Sequence, residues 1–269
     1  MRIAGLEKCS FVDYPGCISA VVFTPGCNLN CFYCHNRQLL TDDPLDAADP
    51  ACQRYSPQAV TDLLARRRGM LDAVVVTGGE PTLQPDLEAF IASVRNMGFK
   101  VKLDTNGTNP DILESLLSKH LVDFVAMDVK APTDLYDRIC RAPVDQTAIS
   151  RSVAMLLAGS ITYEFRTTFA PPLTSDDIMR IALRIRGAES YVLQQYRPNP
   201  WDQAAPSYPR LLGRVANLPH DDAYIRATAE MLRPFVRHCS VRGLDTAAPT
   251  ARPAQPARSR LGLTAAAQS

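Results

Sequence analysis

The chain has 269 residues, of which 46% are hydrophobic and 21% charged, so length and composition are those of a globular protein with a sizeable core. Its 29 basic and 28 acidic residues nearly cancel, which argues against nucleic acid or a membrane surface as partner. No apolar run reaches the ~20 residues of a membrane span, and the charges of Arg2, Glu7 and Lys8 interrupt any signal-peptide core. We therefore expect a cytoplasmic protein, in which clustered cysteines indicate metal binding or catalysis more often than disulfides.

The chain alternates short strands with helices. Residues 1–17 predict a strand followed by a turn at Tyr14, Pro15 and Gly16. Stretches rich in β-branched or apolar residues then predict six buried parallel strands, at 18–24, 73–77, 99–105, 123–129, 163–169 and 191–196. Helical patterns lie at 57–68, 85–98, 110–119, 133–140, 147–158, 174–186 and 221–235. The alternation predicts an α/β fold with right-handed crossovers, and its six repeats indicate a partial barrel.

We expect one domain over residues 1–243 that ends in a short strand at 241–243. Residues 244–269 are rich in Ala, Pro and Arg, a composition typical of a disordered tail. Two further stretches, 42–51 and 199–208, predict surface loops.

Three cysteines are grouped in CNLNCFYCHN at 27–36, directly after the first predicted parallel strand. The second half matches the C-x-x-C-H pattern of attached haem, while Cys27, Cys31, Cys34 and His35 could supply a zinc site. Haem leaves Cys27 without a role, and adjacent Cys34 and His35 converge poorly on one tetrahedral ion. A C-x3-C-x2-C run can instead bind three irons of a 4Fe-4S cluster and leave the fourth open to a substrate or cofactor. The remaining cysteines are scattered and are each explained as a small buried or surface thiol: Cys9, Cys17, Cys52, Cys140 and Cys239.

Polar residues are concentrated at the ends of the predicted strands, where parallel α/β folds place their chemistry. Successive ends carry GGEP at 78–81, DTNG at 104–107, MDVKAP at 127–132, RTT at 166–168 and QQYR at 194–197. Each alone could be a turn, a strand cap or an internal ion pair. Together they are unfavourable to bury without partners or a ligand, which predicts a binding site at this edge of the sheet.

CNLNCFYCHN followed by TGGEP resembles the radical S-adenosylmethionine (SAM) superfamily. The ordered series GLEKCSFVDYPG, VVVTGGEPTLQPDL, KLDTNGTNP, VDFVAMDVKAP, YEFRTTFAPP and YVLQQYRP resembles the activating proteins of anaerobic ribonucleoside-triphosphate reductase, a branch of the glycyl-radical-enzyme activases. The similarity runs from residue 3 to about residue 199. It implies a partial (β/α)6 barrel of the radical SAM type with a short N-terminal strand-turn extension.

The resemblance also implies a role for each strand-end residue. Cys27, Cys31 and Cys34 would ligate the cluster, and the open iron would bind the amino and carboxylate groups of SAM. The implied contacts of SAM are Tyr33 near the adenine, Gly78 and Gly79 beside the methionine moiety, Glu80 at the amino group, Lys130 and Arg166 opposite the carboxylate and the reduced cluster, and Gln195 as a further SAM or substrate contact. A monovalent cation would lie among Asp104, Thr105, Met127 and Asp128.

The implied reaction starts with an electron from flavodoxin or ferredoxin. The reduced cluster would cleave SAM to methionine and a 5′-deoxyadenosyl radical, which would abstract a Cα hydrogen from a glycine of the reductase. Several other activases carry extra cysteine quartets after the first motif, whereas only Cys52 lies between Cys34 and Gly78 here. Three alternatives remain: another glycyl-radical partner of the pyruvate formate-lyase type, a small-molecule substrate, or a zinc or haem protein without enzymatic activity.

Overall fold

The computed structural model of the chain describes residues 1–40, 55–159, 161–198 and 218–244. In this part of the chain, strands form a single sheet whose spatial order follows the sequence. The strands are β1 (Gly5–Ser10), β2 (Ser19–Thr24), β3 (Ala73–Gly78), β4 (Lys100–Thr105), β5 (Phe124–Asp128), β6 (Thr162–Phe169), β7 (Ser190–Gln195) and β8 (His238–Arg242). β1 pairs antiparallel with β2, and β2 to β8 are parallel. Because β1 and β8 are the two edges, the sheet is an open barrel, which confirms the predicted fold class.

The predicted helices are present, with ends that differ by a few residues. They are α1 (Pro57–Arg66), α2 (Leu87–Asn96), α3 (Pro110–Ser118), α4 (Tyr136–Cys140), α5 (Gln146–Leu157), α6 (Ser175–Arg184) and α7 (Asp222–Met231). Side chains cap several N-termini: the Ser56 hydroxyl accepts from the Ala59 N–H, and Thr174 and Asp177 form a capping box. None of the helices in the described ranges is long and apolar enough to cross a membrane.

Two differences from the sequence prediction concern boundaries. The stretch 133–140 is a 3-10 turn (Thr133–Leu135) followed by the short α4. The last strand starts three residues before the predicted 241–243, at His238. The predicted loops at 42–51 and 199–208, Cys52 and the tail from residue 245 lie outside the described residues, so the domain boundary at 243 stays a prediction.

The inner face of the sheet carries a small apolar cluster, separate from the main core between sheet and helices. Tyr14 packs on Phe124 with 5.7 Å between ring centroids, and the predicted turn places it there, because the Cys17 N–H donates to the Tyr14 carbonyl at 3.2 Å. We call this cluster the apolar floor; it consists of Tyr14, Val21, Ala73, Val75, Phe124 and Ala126. Strand alternation puts Lys102, Asp104 and Asp128 on the same inner face as the floor, toward the carboxyl ends. The interior is therefore apolar at one end and charged at the other.

Candidate functional site

A cavity of about 280 Å³ opens at the carboxyl ends of the strands, with the cysteine loop after β2 along one side. Except for Gln195 and Met127, every predicted site residue lines it: Cys27, Cys31, Tyr33, Cys34, Gly78, Gly79, Glu80, Asp104, Thr105, Asp128, Lys130 and Arg166. Met127 does not line the cavity, since its side chain is fully buried in the main core. The fold therefore assembles residues from distant parts of the chain into one site.

Gln195 lies beside the cavity rather than in it. Its Nε2 donates to the His220 carbonyl at 2.8 Å, whereas Gln194 lines the cavity together with Thr168, its partner in the adjacent strand. Successive side chains of a strand point to opposite faces, and the register of β6 and β7 puts Gln194 rather than Gln195 beside Thr168. The sequence of either strand alone does not reveal that register. Asn106 is a further lining residue that the sequence analysis did not single out.

Hydrogen bonds from its own residues hold the cysteine loop. The Arg37 guanidinium donates to the Asn30 side-chain oxygen at 3.1 Å and to the Cys31 carbonyl at 3.2 Å. The Cys34 N–H donates to the same Cys31 carbonyl at 3.1 Å. Cys31 is buried, while Cys27 and Cys34 are half-buried. Among the residues described, no three His, Cys, Asp or Glu side chains lie close enough together to hold a single metal ion.

The three thiols have different electrostatic surroundings. Burial raises the pKa of Cys27 to about 11 and also raises the pKa of Cys34. The pKa of Cys31 is instead lowered to about 7, chiefly through its interaction with the neighbouring Cys140 thiol, which outweighs burial. Cys31 is therefore the thiol of the loop that ionises most readily.

Gly78 and Gly79 pack directly on the backbone that leaves β2. A Cβ at Gly79 would lie 2.0 Å from the Gly26 carbonyl oxygen, and one at Gly78 would lie 2.4 Å from the Thr24 main chain. The Gly79 N–H donates to the Thr24 carbonyl at 2.8 Å. The structure thus gives these glycines a packing role, whereas their approach to a methionine moiety stays a prediction.

We expect Gly79→Ala to lower the free energy of unfolding by about 3 kcal/mol or more, because a carbonyl oxygen occupies the space of the new methyl group. Gly98→Ala is the matched control, since no atom lies within 4 Å of its Cβ position and only its φ of +93° opposes alanine. That strain corresponds to about 1–2 kcal/mol. Chemical denaturation compares the two variants, and equal losses would contradict the packing role.

The Glu80 carboxylate is buried and accepts four hydrogen bonds. Its Oε1 accepts from the Thr82 N–H at 3.1 Å, the Thr82 hydroxyl at 2.7 Å and the Thr105 hydroxyl at 2.7 Å. Its Oε2 accepts from the Asn106 N–H at 2.6 Å. Burial raises the pKa of Glu80, and these donors oppose the rise. The side chain therefore ties the ends of β3 and β4 together at the cavity.

Five charged side chains form what we call the charge network. Lys102 Nζ lies 2.5 Å from Asp104 Oδ1, and Arg166 Nη1 lies 3.1 Å from Asp104 Oδ2. Arg166 Nε lies 2.8 Å from Asp128 Oδ1, and Lys130 Nζ lies 2.8 Å from Asp128 Oδ2. Burial alone would raise the pKa of Asp128, but Arg166 and Lys130 hold it well below its usual value. Three cations against two carboxylates leave one positive charge in excess.

The charge network bears on the expected monovalent cation. All four carboxylate oxygens of Asp104 and Asp128 already bind a lysine or arginine of the chain. A cation at this place would have to displace one of these side chains or share its oxygen. The geometry therefore gives no support to a cation site.

The lining residues fit the cofactors that the cysteine motif indicates. Three thiols suit a soft iron-sulfur cluster, and the excess positive charge suits a ligand with a carboxylate. Tyr33 lines the cavity, and its hydroxyl is buried without a hydrogen-bond partner among the described residues. A buried hydroxyl without a partner costs about 1–3 kcal/mol of folding stability, and a hydrogen bond to a bound polar group can remove this cost.

Known proteins resemble the chain in sequence. A protein of Methanocaldococcus jannaschii, provisionally named a glycyl-radical enzyme activating enzyme, is 32% identical over 251 residues, covering 83% of this chain and 95% of that protein. Pyruvate formate-lyase-activating enzyme of Staphylococcus aureus is 32% identical over 140 residues, or 48% of this chain and 53% of the relative. Proteins named for other reactions also match shorter segments.

Solved structures show the same fold. Streptococcus suis SuiB, in a crystal structure with S-adenosylmethionine, superimposes with a TM-score of 0.56 at 11% identity. The alignment covers 84% of this chain and 49% of SuiB, so the chain spans about half of that protein. A family model described as the Radical SAM superfamily matches residues 21–185, more than half of the chain and including all three clustered cysteines. The chain therefore belongs to the radical SAM superfamily, a family that implies a 4Fe-4S cluster and SAM.

Proposed function

We propose that the chain is an activating enzyme that installs the glycyl radical in an anaerobic ribonucleoside-triphosphate reductase. The observation that carries the proposal is the convergence of Cys27, Cys31 and Cys34 with the polar strand ends on one cavity. The M. jannaschii relative, aligned over nearly its whole length, supports an activase. The ordered motif series, with Cys52 alone between the first two motifs, supports the reductase branch.

Cys27, Cys31 and Cys34 would each bind one iron of the cluster, since thiolates are the usual ligands of such clusters. When bound, the cluster and SAM supply one-electron cleavage of SAM and removal of a glycine Cα hydrogen. The role of the protein would be to bind and orient the cluster, SAM and the target glycine, and to exclude water and stray hydrogen donors. Flavodoxin or ferredoxin is the proposed electron donor, and the cytoplasm is the proposed location.

The charge network would orient SAM. Lys130 and Arg166 are already fixed by Asp128, so they need little rearrangement to face a carboxylate. Glu80 would supply negative charge near the amino group, with its position fixed by its own donors. The Tyr33 hydroxyl would donate to a polar atom of the bound group, because it has no other described partner.

The target glycine would enter beside Thr168 and Gln194, which line the cavity on the side of β6 and β7. A glycine loop suits an entrance that the cofactors would already narrow, because glycine has no side chain to exclude. The two polar side chains would hydrogen-bond the main chain of that loop.

The test is anaerobic reconstitution of the full chain with iron and sulfide, followed by reduction in the presence of SAM and the candidate reductase. We expect 5′-deoxyadenosine together with a glycyl doublet on the reductase in electron paramagnetic resonance (EPR). A reductase with its target glycine replaced by alanine is the control and should give no doublet.

A second candidate function is the activation of a glycyl-radical enzyme of the pyruvate formate-lyase type, which is favoured by the match to the S. aureus activating enzyme. A doublet on that partner alone would select it. Deoxyadenosine without a doublet on either partner would favour a small-molecule substrate. A loaded cluster that never cleaves SAM would contradict the proposed activity.

A further inference from the structure

The side chain of Asn106, just after β4, reaches across the cavity edge to the cysteine loop. It is buried, with 5% of the residue exposed. Its Nδ2 donates to the Asn28 side-chain oxygen at 3.0 Å and to the Cys27 sulfur at 3.8 Å. The cysteine loop therefore receives a hydrogen-bond donor from a part of the chain almost 80 residues away, at the sulfur of its first cysteine.

Three side chains form a closed ring of hydrogen bonds that fixes the orientation of this amide. The Asn106 Oδ1 accepts from the Thr108 N–H at 3.0 Å and from the Thr108 hydroxyl at 2.7 Å. The Asn28 amide donates to the same hydroxyl at 2.9 Å, and its oxygen accepts from Asn106. Because two donors face the Asn106 oxygen, the amide nitrogen is the atom directed at the Cys27 sulfur.

Other contacts hold the main chain around Asn106. The Asn106 N–H donates to the buried Glu80 Oε2 at 2.6 Å. The Gly107 carbonyl accepts from the buried Ser152 hydroxyl at 2.7 Å. None of these bonds uses the Asn106 side chain, so a substitution can remove the amide and leave the backbone supported.

The Cys27 sulfur also accepts from the Leu29 N–H at 3.4 Å. That donor belongs to the main chain of the cysteine loop and persists in every side-chain variant. The amide of Asn106 can be removed by substitution, which makes its effect on the sulfur measurable.

We propose that Asn106 is a positioning residue that raises the reduction potential of the cluster through its hydrogen bond to the Cys27 sulfur. The inference rests on the proposed function, in which Cys27 ligates the cluster. One-electron reduction adds negative charge to the cluster and its ligand sulfurs, so an N–H donor at a ligand sulfur stabilises the reduced state more than the oxidised state. Hydrogen-bond partners outside the ligand set commonly tune a metal centre in this way.

The test uses the reconstituted full chain without SAM, titrated with dithionite and redox mediators and followed by EPR. In Asn106→Ala we expect the reduced-to-oxidised ratio at a fixed potential to fall by about two- to tenfold, the range of a single hydrogen bond, where tenfold is 59 mV for one electron.

Thr108→Val is the matched control, because it opens the ring of side chains but keeps the Asn106 amide. The Thr108 N–H still donates to the Asn106 oxygen and preserves its orientation. The ratio in this variant should stay within about 1.5-fold of wild type, since the donor to the sulfur is unchanged.

A change of less than twofold in Asn106→Ala would overturn the proposal. Equal shifts in Asn106→Ala and Thr108→Val would also overturn it, since they would indicate that the ring acts only through the position of the loop. If the alanine variant binds no cluster, Asn106→Leu fills the space without a donor and carries the same expectation. Loss of the cluster in both would contradict the proposal, because the side chain would then be needed for assembly rather than for the potential.

The wild-type protein separates this inference from the proposed function. Wild type that forms no 4Fe-4S signal would overturn both. A normal wild-type signal with unshifted Asn106 variants would overturn the inference alone.

Discussion

Alanine at Cys27, Cys31 or Cys34 is expected to abolish SAM cleavage, because each substitution leaves one iron of the cluster without its thiolate. Loss of partners outside the ligand set already lowers metal affinity or activity by about 10–100-fold, so loss of a ligand should exceed about 100-fold. The measurements are iron and sulfide content after reconstitution and the amount of 5′-deoxyadenosine formed. Both should fall together in each of the three variants.

The control for the cysteine variants is Cys9→Ala, which alters an exposed thiol on β1. It should retain wild-type cluster content and turnover, as should Cys52→Ala. Retained SAM cleavage in all three loop variants would contradict the assignment of the cluster. An equal loss in Cys9→Ala would instead indicate a general sensitivity of the fold to cysteine replacement.

Asp128→Asn is expected to lower the free energy of unfolding by about 3 kcal/mol, since it removes the partly buried carboxylate, 25% exposed, that Lys130 and Arg166 share. The folded state holds the pKa of Asp128 below its unfolded value. Its contribution is therefore complete at neutral pH and is lost only as the pH falls through the folded pKa. Chemical denaturation of the protein without cofactors, at neutral pH, measures the difference.

Asp111→Asn is the matched control, because Asp111 pairs with Arg151 on the surface with 77% of its side chain exposed. Exposed pairs contribute about 0–1 kcal/mol, so this variant should be nearly as stable as wild type. Similar losses in the two variants would mean that the charge network adds no more than a surface ion pair.

The order of the elements could be predicted because each buried strand has a simple local pattern. β3, AVVVTG, contains four consecutive buried residues and is followed by glycine, which is typical of a parallel strand covered on both faces. The short α4 was harder to predict, since a helix of this length has little periodicity of its own. Its position follows from packing against the cysteine loop, which a local pattern does not contain.

The sequence could indicate which residues form the candidate site, but it could not indicate which of them form ion pairs with each other. Asp104 and Asp128 lie at the ends of β4 and β5, and Arg166 lies beside Asp128 on β6, so their proximity followed from the order of the strands. Lys102 was missed because it lies inside the apolar pattern of β4, and its partner became apparent only from the inner face that it shares with Asp104. Cys140, in contrast, was predicted to be a small buried or surface thiol, and it is buried in the structure.

The two glycines after β3 show that a correct position can have an incomplete explanation. Gly78 and Gly79 were predicted from a motif that implies close approach to a ligand. The structure adds a requirement independent of any ligand, because the main chain at Thr24 and Gly26 occupies the space of a Cβ. Contacts between two strand ends depend on how the backbones pack, which the sequence of either segment does not reveal.

The apolar floor affects the distance over which the electric field of the charge network acts. Tyr14 and Phe124 fill the interior with apolar side chains of low dielectric constant, so the excess positive charge of the charge network is only weakly screened from that side. Low-dielectric walls concentrate an electric field toward the open side of a cleft, here the mouth of the cavity. An anionic ligand would thus be attracted before it makes contact, and added salt would weaken this attraction because the ligand approaches through solvent.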